Sequence, residues 1–197
     1  MNELPKRDPY GLGRREMRQT TEGPVRPDGR DPRVAERVWH RCNLEGADFA
    51  GKDLSDGSFY GCNLRNGNFA GAGLTGVHFA RTSLRDAIFR DNALDRTHFV
   101  FSDLYGVRFD GQTISGAVFE HAGLSGASFE GTTFRHVSFR FGQRHGHLFV
   151  RRRKGLVVAQ FDPRADQARF DGAFMDWATY APLRDAGVDL TGVTLLP

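Results

Sequence analysis

The sequence predicts an all-β fold: a four-sided parallel β-helix, wound as a solenoid and closed by short capping elements. Three observations predict it. From Leu44 to Phe139 every fifth residue is Leu, Ile or Phe, through twenty consecutive pentads. Gly stands two positions after the apolar centre in ten of these pentads, as at Gly46, Gly51, Gly61, Gly71, Gly76 and Gly106. The centres also alternate Leu and Phe, as in Leu44, Phe49, Leu54, Phe59, Leu64 and Phe69.

A five-residue period suits no straight element. On an α-helix it walks around the axis, and on a strand it alternates faces. The chain must therefore turn a corner every five residues, and glycine suits corners because it reaches positive φ without steric cost. The alternation then sets the number of sides. Three-sided coils would stack Leu on Phe, whereas four-sided coils of twenty residues stack like on like. One column becomes Leu44, Leu64, Leu84, Leu104 and Leu124, and the next Phe49, Phe69, Phe89, Phe109 and Phe129. The other two are Leu54, Leu74, Leu94, Ile114 and Phe134, then Phe59, Phe79, Phe99, Phe119 and Phe139. Small residues two positions before the centres, such as Cys42, Cys62, Ala72, Thr82 and Ala117, are expected to point inward too. Five coils at the usual strand spacing make a rod about 24 Å long.

Cys42-Asn-Leu-Glu-Gly46, Ala47-Asp-Phe-Ala-Gly51 and Ala127-Ser-Phe-Glu-Gly131 resemble the pentapeptide-repeat family, over about half of the chain. The resemblance implies that the β-helix is right-handed and quadrilateral, which spacing alone does not specify.

The expected organisation has four parts. Residues 1–33 form an Arg- and Pro-rich arm, 34–139 the β-helix, 140–167 an inserted loop or hairpin, and 168–197 a degenerate coil and cap. Asp31 and Pro32 suit the start of a short capping helix, and Trp39, five before Leu44, suits a bulky lid. After Phe139 the register returns only at Ala168-Arg-Phe-Asp-Gly172 and Val188-Asp-Leu-Thr-Gly192. The run HLFVRRRKGLVVAQF at 147–161 reads as a β-hairpin with Arg151, Arg152, Arg153 and Lys154 near its tip. Phe174, Met175, Trp177 and Tyr180 fall in a helical or irregular end cap. Homodimerisation through this C-terminal end is the alternative, which the resemblance implies.

Composition excludes several function classes. Met1 to Tyr10 contain charges and prolines but no apolar run, so neither a signal peptide nor a membrane helix is expected, and a cytoplasmic location follows. Two cysteines make no disulfide framework; Cys42 and Cys62 stack one coil apart as core fillers. Gly71-Ala-Gly-Leu-Thr-Gly76 matches a dinucleotide fingerprint but precedes no helix. His78 and His98 stack twenty apart without a third metal ligand in their column, and His136, His145 and His147 match no zinc spacing. A filled rod offers no deep cleft, so no enzyme, cofactor or metal is expected.

A binding role remains. The resemblance implies protection of type II topoisomerases in bacteria, DNA gyrase or topoisomerase IV, by a negatively charged DNA mimic that confers resistance to quinolones or other gyrase poisons. That role calls for a stripe of acidity. The outward columns give none: Asn43, Asn63, Ser83, Asp103, Gly123; Asp48, Asn68, Ile88, Arg108, Ser128; Asp53, Gly73, Ala93, Thr113, Thr133; and Ser58, His78, His98, Val118, Ser138. The net charge is +3, with 10 basic against 7 acidic residues in 1–41, 8 against 11 in 42–139 and 9 against 6 in 140–197. Partner-contact candidates are therefore Arg151, Arg152, Arg153 and Lys154 of the insertion, Arg65 and Arg85 stacked beside one corner, and Tyr60, Phe101 and Tyr105 at exposed corner positions. A generic protein-binding scaffold or adaptor is the alternative function. Direct nucleic-acid binding through the basic arm and hairpin is a third.

Overall fold

The computed structural model describes residues 37–140 and 168–197, together with the backbone of two strands at 147–152 and 155–160. The residues flanking those strands, with Arg153 and Lys154 among them, lie outside the described set, as do Asp31, Pro32 and the rest of residues 1–36.

Each coil brings the chain back beside itself after twenty residues. On one face the strands β1 (Val38–His40), β2 (Ser58–Tyr60), β3 (His78–Ala80), β4 (His98–Val100), β6 (Val118–Glu120) and β8 (Ser138–Arg140) form a six-stranded parallel sheet. Their register is Trp39↔Phe59↔Phe79↔Phe99↔Phe119↔Phe139. A second face holds β5 (Thr113–Ser115), β7 (Thr133–Arg135), β11 (Phe174–Met175) and β12 (Thr194–Leu195), also parallel. Single parallel bridges lace the remaining two faces, Asn43↔Asn63↔Ser83↔Asp103↔Gly123 on one and Asp48↔Asn68↔Ile88↔Arg108↔Ser128↔Arg169 on the other. For clarity the face carrying Asn43 to Gly123 is called the first.

All twenty pentad centres are buried, so the inward assignment of Leu, Ile and Phe holds at every one. Fully burying such a side chain contributes about 1.5–3 kcal/mol. Phenylalanines stack within a column, with centroids 5.1 Å apart for Phe49–Phe69 and 5.2 Å for Phe79–Phe99. Rings of neighbouring columns meet edge to face, as Phe59–Phe69 do at 6.2 Å and 90°. Both geometries suit the aromatic quadrupole. Trp39 extends its column by stacking on Phe59 at 4.2 Å and is itself buried, so the bulky residue expected to cover Leu44's coil is a layer of the core.

The positions two before the centres also face inward, and the polar ones have a role beyond filling space. Thr82 Oγ1 donates to the Phe59 carbonyl at 3.0 Å, Ser102 Oγ to Phe79 at 3.0 Å, Thr97 Oγ1 to Leu74 at 2.8 Å and Gln112 Nε2 to Phe89 at 3.0 Å. Each adds a side-chain donor to a carbonyl of the coil below and so ties consecutive coils together inside the core.

Every described corner two residues after a centre lies in the left-handed region. Ten of these corners are glycine, and nine are not: Asp56, Asn66, Arg81, Asp86, Asp91, Arg96, Phe101, His121 and His136.

The rod resumes beyond the insertion. Phe170 stacks on Phe129 at 5.1 Å, and β11 sets Met175 on Phe134. The helix α1 (Trp177–Asp185) then packs over the end on β8. Asp176 is its N-cap, accepting from Thr179 N at 2.8 Å and also from His136 N, while Val137 N donates to Thr179 Oγ1 at 3.0 Å. The helix start thus takes up N–H groups that the last full coil leaves without a further strand. Phe174 and Met175 are strand and not helix, because the pentad register reasserts itself before Asp176 ends it. Strands β9 (His147–Arg152) and β10 (Gly155–Gln160) pair antiparallel, with Gly155 opposite Arg152, which is the expected hairpin. Among the described residues no helix is long and apolar enough to cross a membrane.

Candidate functional site

The first face lies between two corners. At one, residues Arg41, Gly61, Arg81, Phe101 and His121 succeed one another every twenty residues. Beside the other runs the column Glu45, Arg65, Arg85, Tyr105 and Ser125. Parallel stacking places successive members about 4.8 Å apart, close enough for planar groups to lie on one another. The Arg81 guanidinium lies 5.7 Å from the Phe101 ring centroid, and Phe101 stacks on His121 at 4.7 Å. Across the face, the Arg85 guanidinium sits 4.4 Å over the Tyr105 ring and reaches Asp103 at 3.4 Å. Asp103 also accepts from Tyr105 N at 3.1 Å, which fixes the carboxylate beside that ring.

Of the predicted contact residues, Phe101 and Tyr105 are exposed, at 46% and 43%, and Arg85 is joined to Tyr105. Arg65 is exposed one coil away in the same column. Tyr60 departs from the expectation. It is the last residue of β2, is half-buried, and leans on His40 at 5.9 Å, because the sheet ladder flanks it with His40 and Ala80. Arg151 and Arg152 fall on β9. Arg81 and His121 complete the site; their signal in the sequence is the twenty-residue spacing around Phe101, masked because corner positions read as glycine sites.

The other titratable groups do different work. His78 and His98 stack at 4.4 Å on the six-stranded face. Burial lowers the pKa of both, and for His98 the neighbouring His78 lowers it further. No group of three or more His, Cys, Asp or Glu converges on a metal position among the described residues. His136 contacts Asp176 at 3.3 Å and belongs to the end cap. Burial pulls the Asp176 carboxyl upward, but N–H donors from His136 and Thr179 more than offset it, and it sits below the usual carboxylate range. Cys42 and Cys62 are buried and unbridged; the thiol of Cys42 and burial push Cys62 far above its ordinary value, so it stays a thiol. Gly71 to Gly76 remain within the pentads, with no helix after them.

Comparison with known proteins agrees with this architecture. Two family models match, one described as a pentapeptide repeat region over residues 37–119 and one as pentapeptide repeats over residues 102–140. The chain belongs to the pentapeptide-repeat family. Among solved structures it is similar to the pentapeptide-repeat protein Rfr23 of the cyanobacterium Cyanothece 51142, at 19% identity over 55% of this chain and 91% of that one, with a TM-score of 0.49. A pentapeptide-repeat protein of the Arabidopsis thaliana thylakoid lumen matches at 26% identity over 47% of this chain and 65% of that one, with a TM-score of 0.45. QnrB1, a plasmid-mediated fluoroquinolone resistance protein, matches at 19% identity over 81% and 82% of the two chains, with a TM-score of 0.36. No curated protein matches the chain.

Proposed function

We propose that this protein is a non-catalytic binding rod whose partner is another protein, and that a type II topoisomerase, DNA gyrase before topoisomerase IV, is the specific partner. The exposed arginine and aromatic pairs of the first face carry the first half of this reading. Such side chains dominate protein interfaces, and they are held here on a rigid ladder. Membership of the pentapeptide-repeat family supports the second half, with protection against gyrase poisons as the consequence. Electrostatic mimicry of DNA receives no support, since the outward columns mix Asn, Asp, Arg, His and Ser and the sequence pI is about 9.1. Topoisomerase recognition would therefore proceed through side chains on one face or through the insertion, and not through a phosphate-like stripe.

The test is a gyrase supercoiling and cleavage assay with the purified chain, with and without a quinolone. Relief of drug-stabilised cleavage is the expected result. No effect on cleavage or supercoiling across a wide concentration range removes the topoisomerase and leaves the second reading, an adaptor for a different protein. The basic balance of the chain is the observation that favours that second reading.

A further inference from the structure

We propose that the first face docks an acidic segment of a partner protein, with the Arg81 and Arg85 guanidiniums receiving its carboxylates between the exposed edges of Phe101 and Tyr105. This rests on the reading that the chain binds a protein, and it names the chemistry of that partner.

The backbone supplies the first argument. Phe101 has φ of 50° at a corner position that takes glycine ten times and a residue with a side chain nine times, and among the described corners of the twenty pentads it is the one Phe, Tyr or Trp. A large aromatic residue in the left-handed region is strained, and strain of this kind concentrates at functional positions. Core packing does not explain it, because the Phe101 ring is 46% exposed and points out of the rod.

Charge supplies the second. The face and its two corners carry Arg41, Arg65, Arg81 and Arg85 against Glu45, Asp86 and Asp103. Among the described residues no carboxylate lies within 4 Å of Arg41, Arg65 or Arg81, and the one arginine that Asp103 reaches is Arg85, at 3.4 Å. The neighbouring face differs. Its Arg90, Arg108 and Arg169 are paired with Asp91, with Asp110, and with Glu130 and Asp171. A guanidinium laid on an aromatic ring has already lost much of its rotamer freedom, and its N–H edge suits a carboxylate.

At Phe101, ring coverage selects protein over single-stranded nucleic acid. A stacking platform needs an open ring face. Phe101 has Arg81 on one side and His121 on the other, so only its edge is available. An edge suits aliphatic side chains flanking an acidic residue.

The experiment uses the full chain and a short fluorescent peptide alternating Glu and Leu, read by anisotropy at low and high salt. The comparison probe is a single-stranded oligodeoxynucleotide of equal charge. We expect saturable, salt-sensitive peptide binding that weakens about tenfold or more in an Arg81→Ala, Arg85→Ala double variant. Arg96→Ala, at a distant corner, should leave it unchanged. Phe101→Gly should weaken it while the melting temperature is kept, separating contact from folding. Absence of peptide binding, equal loss in Arg96→Ala, tighter binding of the oligonucleotide, or self-association of the chain by sedimentation in place of peptide binding would each overturn the proposal. Gyrase protection that survives in the double variant would remove this surface and leave the topoisomerase reading standing.

Discussion

Single positions in this rod are specified either by the corner or by the core, and substitution destabilises the two for different physical reasons. Gly106 has φ of +70°, and a Cβ there would press on the Asp86 carboxylate. Gly51 has φ of +64° with open space around it. Gly51→Ala should therefore cost about 1 kcal/mol from the backbone alone, whereas Gly106→Ala should cost more, and urea unfolding of the two variants checks the order. Equal losses would mean that the Asp86 side chain moves aside freely. In the core, Phe89→Asp introduces a carboxylate between Phe69 and Phe109, whose rings lie 5.0 and 5.2 Å from it. An unpaired charge costs far more there than any single contact returns, so cooperative melting should disappear; an unchanged melting curve would refute the inward assignment. These inward positions were legible in the sequence because a strict period leaves them no alternative. Side-chain contacts on the outside were not. The twenty-residue spacing puts Arg85 beside Tyr105, but only rotamers decide that Arg85 lies over that ring and not out in solvent.

At the scale of elements, the ladder of β3 and β4 carries a pH response. His78 and His98 face each other with Asp56, Glu120 and Arg140 as the nearest charges, and burial depresses both imidazoles below 6.5. The unfolded chain therefore binds protons more readily than the rod. Stability is fully present above about pH 6.5 and falls as acidification passes through the unfolded and then the depressed folded values. A melting series from pH 8 to pH 5 should show this decline, and His98→Thr, a strand-forming residue that this fold already uses outward at Thr113, should flatten it. A wild-type and variant slope that coincide would remove the pair as the cause. At the other end of the rod, Asp176→Ala deletes the helix cap and the acceptor for His136 N together. A loss of about 1–2 kcal/mol is expected. The helix itself was weakly marked in the sequence. Pro182 lies inside it and only Thr179 and Leu183 are buried, so no apolar stripe announced it.

The whole molecule poses a question of arithmetic. Twenty residues separate stacked centres along the rod, as from Phe109 to Phe129, but Phe170 follows Phe129 after forty-one. The excess is twenty-one residues, and removing 147–167 brings Ala168 to the place where the pentads call for a residue after 146. A solenoid is stabilised by neighbouring coils and not by distant loops, so this excised chain should keep the Phe129–Phe170 stack, the β7–β11 pairing and the helix cap. Its melting should stay cooperative and close to that of the full chain. The same variant divides the binding readings, because it lacks Arg151, Arg152, Arg153 and Lys154 but retains Arg81, Arg85, Phe101 and Tyr105. Retained gyrase protection and peptide binding would place recognition on the first face. Protection lost with the fold intact would assign it to the insertion, and broad, uncooperative melting would show that the rod needs the insertion to close its last coils.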